Sequence, residues 1–244
     1  MKGKIYVVGT GPGVKEQMSL RAVEIIESVD IVIGYKTYID LLEDSFRLKE
    51  VISSGMRKEL ERCEQSLEIA ESGKTVALVS SGDPGIYGMA GIMLEIVERE
   101  KSSVQVEIVP GITSCLASAS LLGAPIMHDF AVISLSDLLT EWKLIRKRIK
   151  SAAKSDFVIC LYNPASRSRK DQVKEARSII LKSRDVMTPV GIVRDAMRTG
   201  EEIIITDLRG MLEFEIDMST TIIIGNSRTY VSNNRMITPR GYPV

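Results

Sequence analysis

One histidine, one tryptophan and an aromatic content of only 5% leave this 244-residue sequence short of several common kinds of chemistry. A single imidazole excludes the paired histidine ligands of most zinc sites, and no Ser-His-Asp relay stands out. The three cysteines, Cys63, Cys115 and Cys160, are far apart and form no C-x-x-C pair, which points to buried thiols in a reducing compartment rather than to disulfides or a metal site. Net charge is absent too. Thirty-two Lys and Arg balance thirty-two Asp and Glu, so no global field gathers polyanions and no nucleic-acid partner is expected. The opening MKGKIYVVGTGPG meets glycine too soon for a signal peptide or a membrane span. A cytoplasmic protein with no membrane partner is therefore expected, and no repeat, heptad or low-complexity run suggests a solenoid or coiled coil.

What the sequence does have is apolar residues, 44% of the total, gathered into short runs rich in Val and Ile. Runs at 5–8, 31–33, 76–79, 104–109, 131–133 and 157–161 suit strands covered on both faces. Ser19 is placed to cap a helix through Val29 with Leu20, Val23 and Ile26 turned inward, and Leu60, Cys63, Leu67 and Ala70 mark a second helix that Gly73 stops. The alternation predicts an α/β protein with a mostly parallel first sheet. Short strands at 192–194, 203–206 and 221–224, separated by turns, predict a mixed second sheet. The change of rhythm places a boundary between domains at 1–112 and 113–244.

Two glycine-rich turns follow strands. Gly9-Thr10-Gly11-Pro12-Gly13 lets backbone amides approach a ligand, yet it fails the dinucleotide fingerprint, because Val14 stands where a third glycine belongs. It fails as a phosphate loop as well, because Glu16 follows Lys15. The second turn, Ser80-Ser81-Gly82-Asp83-Pro84-Gly85-Ile86-Tyr87-Gly88, offers the Asp83 carboxylate to a ribose or amino group, although Asp-Pro also commonly begins a turn. In an open α/β sheet both turns line the carboxyl ends of the strands, where ligands bind.

Pro12 in its glycine turn, Gly82-Asp83-Pro84, and Val109-Pro110-Gly111-Ile112-Thr113-Ser114 together resemble the tetrapyrrole methylases over nearly the whole chain. Four further stretches resemble the branch that methylates carbon 17 of precorrin-3B or its cobalt counterpart: Gly34-Tyr35-Lys36-Thr37-Tyr38, residues 128–137 beginning His128-Asp129-Phe130, Tyr162-Asn163-Pro164-Ala165-Ser166-Arg167, and Thr238-Pro239-Arg240-Gly241-Tyr242. The resemblance implies two α/β domains with S-adenosylmethionine in a cleft between them, a tetrapyrrole substrate, ring contraction, a role in cobalamin biosynthesis and a homodimer. It carries cofactor contacts onto Pro12, Gly82, Asp83, Ile86, Thr113 and Ser114, and less firmly onto Tyr162 and Ala196. Related members often have Met-Gly where this chain has Tyr162-Asn163.

Methyl transfer from a sulfonium to an electron-rich carbon asks chiefly for alignment of the two reactants. Proton movement during ring contraction is assigned to His128, Asp129 or Asp195, and substrate carboxylates to Arg167, Arg169, Arg194 and Arg198, against the plain alternatives of a structural histidine and exposed surface charge. Other readings are a sibling corrin methyltransferase, an RNA methyltransferase of the same fold, and a non-catalytic nucleotide-binding module.

Overall fold

The computed structural model describes residues 3–166 and 169–243. The chain divides into two compact units, Met1–Ser114 and Cys115–Val244.

In the first unit the elements run β1 (Lys4–Gly9), α1 (Leu20–Ser28), β2 (Ile31–Tyr35), α2 (Lys36–Glu43), β3 (Val51–Ser54), α3 (Glu59–Glu71), β4 (Thr75–Ser80), α4 (Ala90–Arg99) and β5 (Gln105–Val109). The five strands form one all-parallel sheet in the order β3-β2-β4-β1-β5. Parallel strands need crossovers, and the helices supply them on both faces. On one face Ala22, Ile25 and Ile26 of α1 and Ile39 and Leu42 of α2 pack on Val8, Val32, Ala77 and Val79. On the other, Cys63, Leu67 and Ala70 of α3 and Met93 and Ile96 of α4 pack on Ile5, Val7, Val76 and Leu78.

Helix starts and stops follow the residues that the sequence marks. The Ser19 hydroxyl accepts the Ala22 amide at 3.1 Å, and Gly73, at φ 101°, follows the last turn of α3. The expected inward faces need correction at their first residues. Leu20, the first residue of α1, and Leu60, the second of α3, are exposed and point away from the sheet; Val23 packs partly buried against the core beside Ile26 as expected, and Ala22 and Ile25 complete that inward face.

The second unit contains α5 (Ser114–Leu122), which starts at the boundary, then β6 (Gly123–Ala124), β7 (Phe130–Ser134), α6 (Trp142–Lys154), β8 (Val158–Tyr162), α7 (Gln172–Ile180), β9 (Pro189–Arg194), β10 (Glu202–Asp207), β11 (Thr220–Ile224), β12 (Tyr230–Ser232) and β13 (Arg235–Ile237). Its main sheet has the order β10-β9-β11-β8-β7 and is mixed, with β7 and β8 parallel and the other pairs antiparallel. Helices α6 and α7 cover one face. Helix α5 covers the other through Cys115, Ala119 and Leu122. A Cβ on Gly191 of β9 would stand 2.3 Å from Leu122 Cδ1, so the glycine admits the helix. The remaining hairpin, β12 and β13, turns at Asn233 and Asn234, both at positive φ, and β13 joins β6.

Gly191→Ala is expected to lower stability by about 1–3 kcal/mol through overpacking. Gly91→Ala, in α4 with open space around its Cβ, is expected to raise stability by roughly 0.5 kcal/mol through helix propensity. Urea titrations of both variants beside the parent check the pair of signs.

Candidate active site

Strands β4, β1 and β5 are neighbours, so the segments leaving their carboxyl ends meet: Gly9–Gly13, Ser80–Gly88 and Val109–Ser114. The chain connections place α1 and α4 on opposite faces of these strands, which makes this edge a topological switch point, the usual place for a ligand in such sheets.

The segments touch backbone to backbone. Gly11 and Gly82 form an isolated antiparallel bridge, with the Gly11 amide donating to the Gly82 carbonyl at 3.1 Å and the Gly82 amide to the Gly11 carbonyl at 2.8 Å. A Cβ on Gly111 would lie 2.2 Å from the Gly82 carbonyl oxygen, and one on Gly9 would lie 2.7 Å from both that oxygen and the Gly111 nitrogen. Gly11 and Gly82 also sit at φ 59° and 66°, which glycine adopts without strain.

Asp83 joins the second segment to the third. One carboxylate oxygen accepts the Gly85 amide at 2.8 Å, the Asx turn that Asp-Pro suggests, and the other accepts the Gly111 amide at 3.1 Å across 28 residues of sequence. Beyond it Ile86 is 38% exposed, and Tyr87 is held at φ 54°, a conformation that a bulky residue rarely adopts. Thr113 is buried, and Gly82 would bring a Cβ to 3.4 Å from its Cα. Pro12, Gly82, Asp83, Ile86 and Thr113 thus gather at one edge, with Ser114 opening α5.

The carboxyl edge of the second sheet carries Tyr162, Asn163, Arg194 and Asp195, because β9 runs in the same direction as β8. Tyr162 is buried, and its hydroxyl accepts the Cys115 amide at 2.7 Å, satisfying one of the open donors at the start of α5. Ala196 packs partly buried with the same cluster. Asn163 takes φ 50°, and its amide donates to Ser134 Oγ at 3.0 Å. Asp195 and Met197 are also at positive φ, 46° and 58°, so this edge holds several strained residues.

The proposed proton-transfer residues do not come together. His128 and Asp129 are exposed and precede β7, which is parallel to β8, so they lie at the opposite edge of the sheet from Asp195. The His128 ring nitrogen Nδ1 accepts the Asp129 amide at 2.9 Å and lies 3.6 Å from its carboxylate.

The arginines separate as well. Arg167 lies outside the described residues. Arg169 is only 7% exposed, donates to the Asn163 carbonyl at 2.6 Å and lies 3.8 Å from Asp137; burial pushes its guanidinium below the usual range. Arg194 reaches Glu202 at 2.7 Å and Glu215 at 3.1 Å, with Glu202 foremost in raising its pKa, so a substrate carboxylate there competes with two glutamates. Arg198 follows the strained turn at Asp195, whose carbonyl accepts the Arg198 amide. Sequence reasoning assigned no role to Asn163, Ser134 or Asp137, although the Asn-Pro pair at 163–164 signals a turn.

Among the described residues, no group of three or more metal-ligating side chains occurs, and no helix is long and apolar enough to cross a membrane.

The sequence model of the Tetrapyrrole (Corrin/Porphyrin) Methylases matches residues 4–211. The chain belongs to this family. It is 50% identical over 239 residues to the probable cobalt-factor III C(17)-methyltransferase of Salmonella typhimurium, covering 98% of this chain and 99% of that protein. It is 49% identical over 246 residues to the cobalt-factor III methyltransferase of Priestia megaterium, where it covers 99% of this chain but spans only 46% of the relative's length. Identity to the precorrin-3B C(17)-methyltransferase of a Sinorhizobium species is 38% over 253 residues, covering 99% of this chain and 98% of that one. Among solved structures the methyltransferase CobJ superposes with a TM-score of 0.90 at 31% identity, covering 97% of this chain and 100% of that chain. The α/β architecture is therefore that of the family.

Gly111→Ala is expected to cost about 1–3 kcal/mol, because the new methyl group meets the Gly82 carbonyl rather than a side chain that can turn aside. Thermal unfolding against the parent measures the loss; an unchanged midpoint would mean that the junction of the three segments yields easily.

Proposed function

We propose that the chain is an S-adenosylmethionine-dependent C-methyltransferase that acts at carbon 17 of a cobalt-containing tetrapyrrole, with ring contraction, in cobalamin biosynthesis. The observation that carries this reading is about 50% identity, over nearly its whole length, to a relative named for cobalt-factor III and carbon 17, against 38% to the precorrin-3B enzyme.

The geometry of the first unit suits the cofactor. Backbone carbonyl and carboxylate acceptors at Gly82 and Asp83, each already holding a backbone amide, precede the exposed apolar side chain of Ile86 in the same turn, and their remaining lone pairs suit the amino and hydroxyl donors of an amino-acid and nucleoside ligand. When bound, S-adenosylmethionine supplies an electrophilic methyl group on sulfonium sulfur. The chain's own task is to fix positions. The paired backbone of Gly11 and Gly82 and the Asp83 stitch hold Pro12, Gly82, Asp83, Ile86, Thr113 and Ser114 in register without any need for the protein to reorganise at the moment of reaction. Tyr162 and Ala196 remain proposed contacts to the same ligand, carried by the family motif.

For proton movement we favour Asp195, which stands in a strained turn at the carboxyl edge of its sheet, over His128 and Asp129 at the other edge. For substrate carboxylates we favour Arg198, with Arg169 and Arg194 holding the loops around it. A homodimer remains part of the reading, and light scattering at micromolar concentration tests it.

The reaction is tested by incubating the purified protein anaerobically with S-adenosylmethionine and cobalt-factor III, then locating the new methyl group by mass spectrometry and NMR. A methyl group at carbon 17 is expected; one at another carbon would sink the positional assignment. Asp83→Asn places an amide NH₂ where one backbone N–H now finds an acceptor. It is expected to weaken S-adenosylmethionine binding by roughly 10- to 100-fold, the loss of a charge-assisted hydrogen bond. Arg194→Ala should leave that affinity within about twofold, since its partners are Glu202 and Glu215. Calorimetric titration of both variants, with circular dichroism to establish folding, reads the difference.

A further inference from the structure

Cys115 and Cys160 lie 45 residues apart in sequence and come together in the second unit, Sγ to Sγ at 2.8 Å. That separation is under 1 Å longer than the covalent bond of about 2.05 Å between disulfide sulfurs. Cys115 stands in the first turn of α5, where its amide donates to the Tyr162 hydroxyl, and Cys160 stands at the centre of β8 between Val132 and Ile223 of the neighbouring strands. Both are fully buried in one apolar cluster, with Ala119, Leu122, Val193 and Met236 around them. Side chains packed in this way have few alternative rotamers, so the two sulfurs stay in reach of each other.

We propose that Cys115 and Cys160 are a dithiol modification site that a peroxide converts to an intrachain disulfide tying the start of α5 to the centre of β8. Two S–H bonds break and one S–S bond forms. The two electrons reduce the O–O bond of hydrogen peroxide, and the two thiol protons leave in two molecules of water. The contact with Cys115, followed by burial, pushes the Cys160 thiol well above the usual range, which keeps Cys160 protonated and quiet while the surroundings are reducing. Both sulfurs are shielded, so the reaction waits on brief openings of the first turn of α5 and is slow in the folded protein. Cys63, buried in the first unit and pushed up to about 12 by desolvation, is the internal control. The inference depends on the packing of the second unit alone and does not rest on the proposed activity.

The full chain is treated with hydrogen peroxide, quenched, unfolded and titrated for thiols with Ellman's reagent, and then mapped by mass spectrometry without reduction. The expected result is loss of two of the three thiols, an intact mass lower by two hydrogens, and one cross-linked peptide pair containing Cys115 and Cys160, all reversed by dithiothreitol. Retention of all three thiols, a link through Cys63 or to a second chain, or oxidation to sulfinic acid without a cross-link would overturn the proposal. Cys160→Ala should abolish the mass loss. If that variant does not fold, the peptide map of the parent protein decides alone.

Discussion

The first unit depends on three backbones meeting where no side chain fits. Gly9, Gly82 and Gly111 end or follow the three neighbouring strands β1, β4 and β5, and their main-chain atoms stand so close that a methyl group on either Gly9 or Gly111 would overlap a neighbouring backbone. Close packing has little slack for such an overlap, and peptide groups cannot rotate out of the way as side chains can. The glycines therefore act first on each other. Once the three segments are joined, the Asp83 carboxylate spans two of them and the exposed Ile86 is presented next to it.

The second unit solves a different problem, that of keeping charge and strain at a sheet edge. Arg169 is nearly buried, and a guanidinium without partners there would be costly; it gives one bond to the Asn163 carbonyl, with Asp137 near enough to offset part of its charge. That bond and the amide link from Asn163 to Ser134 hold the backbone of Asn163 in the left-handed region, which asparagine enters more readily than other non-glycine residues. The same edge keeps Arg194 between two glutamates, so its charge is balanced before any ligand arrives.

What the sequence made legible was mostly local. Strand runs, the Ser19 cap, the stop at Gly73 and the glycine turns depend on a few consecutive residues, and the structure has them where the pattern puts them. Partners far apart in sequence were not legible. Nothing in Gly82-Asp83-Pro84 announces that the carboxylate reaches Gly111, and the wide spacing of Cys115 and Cys160 hid a sulfur contact. The place of His128 was hidden for a related reason. Its motif names residues but not the edge of the sheet on which they fall, and only the parallel pairing of β7 with β8 sets it away from Asp195. The β12–β13 hairpin is the exception, because Asn233-Asn234 between the short segments Tyr230–Ser232 and Arg235–Ile237 is a local turn signal that went unread.

A chain with one histidine and a junction of fixed backbones is consistent with a reaction in which position matters more than nucleophile activation. Activating a serine or cysteine requires a nearby base with its own orienting partner, and among the described residues His128 has only its adjacent aspartate, on an exposed loop. Aligning two reactants requires elements that do not move. Effective concentration gained by alignment is lost steeply with small displacements, so a binding edge for such chemistry should be built from backbone rather than from long side chains. The Gly11–Gly82 bridge, the Asp83 stitch and the packing of Gly111 against Gly82 meet that requirement with bonds that a ligand need not break on arrival.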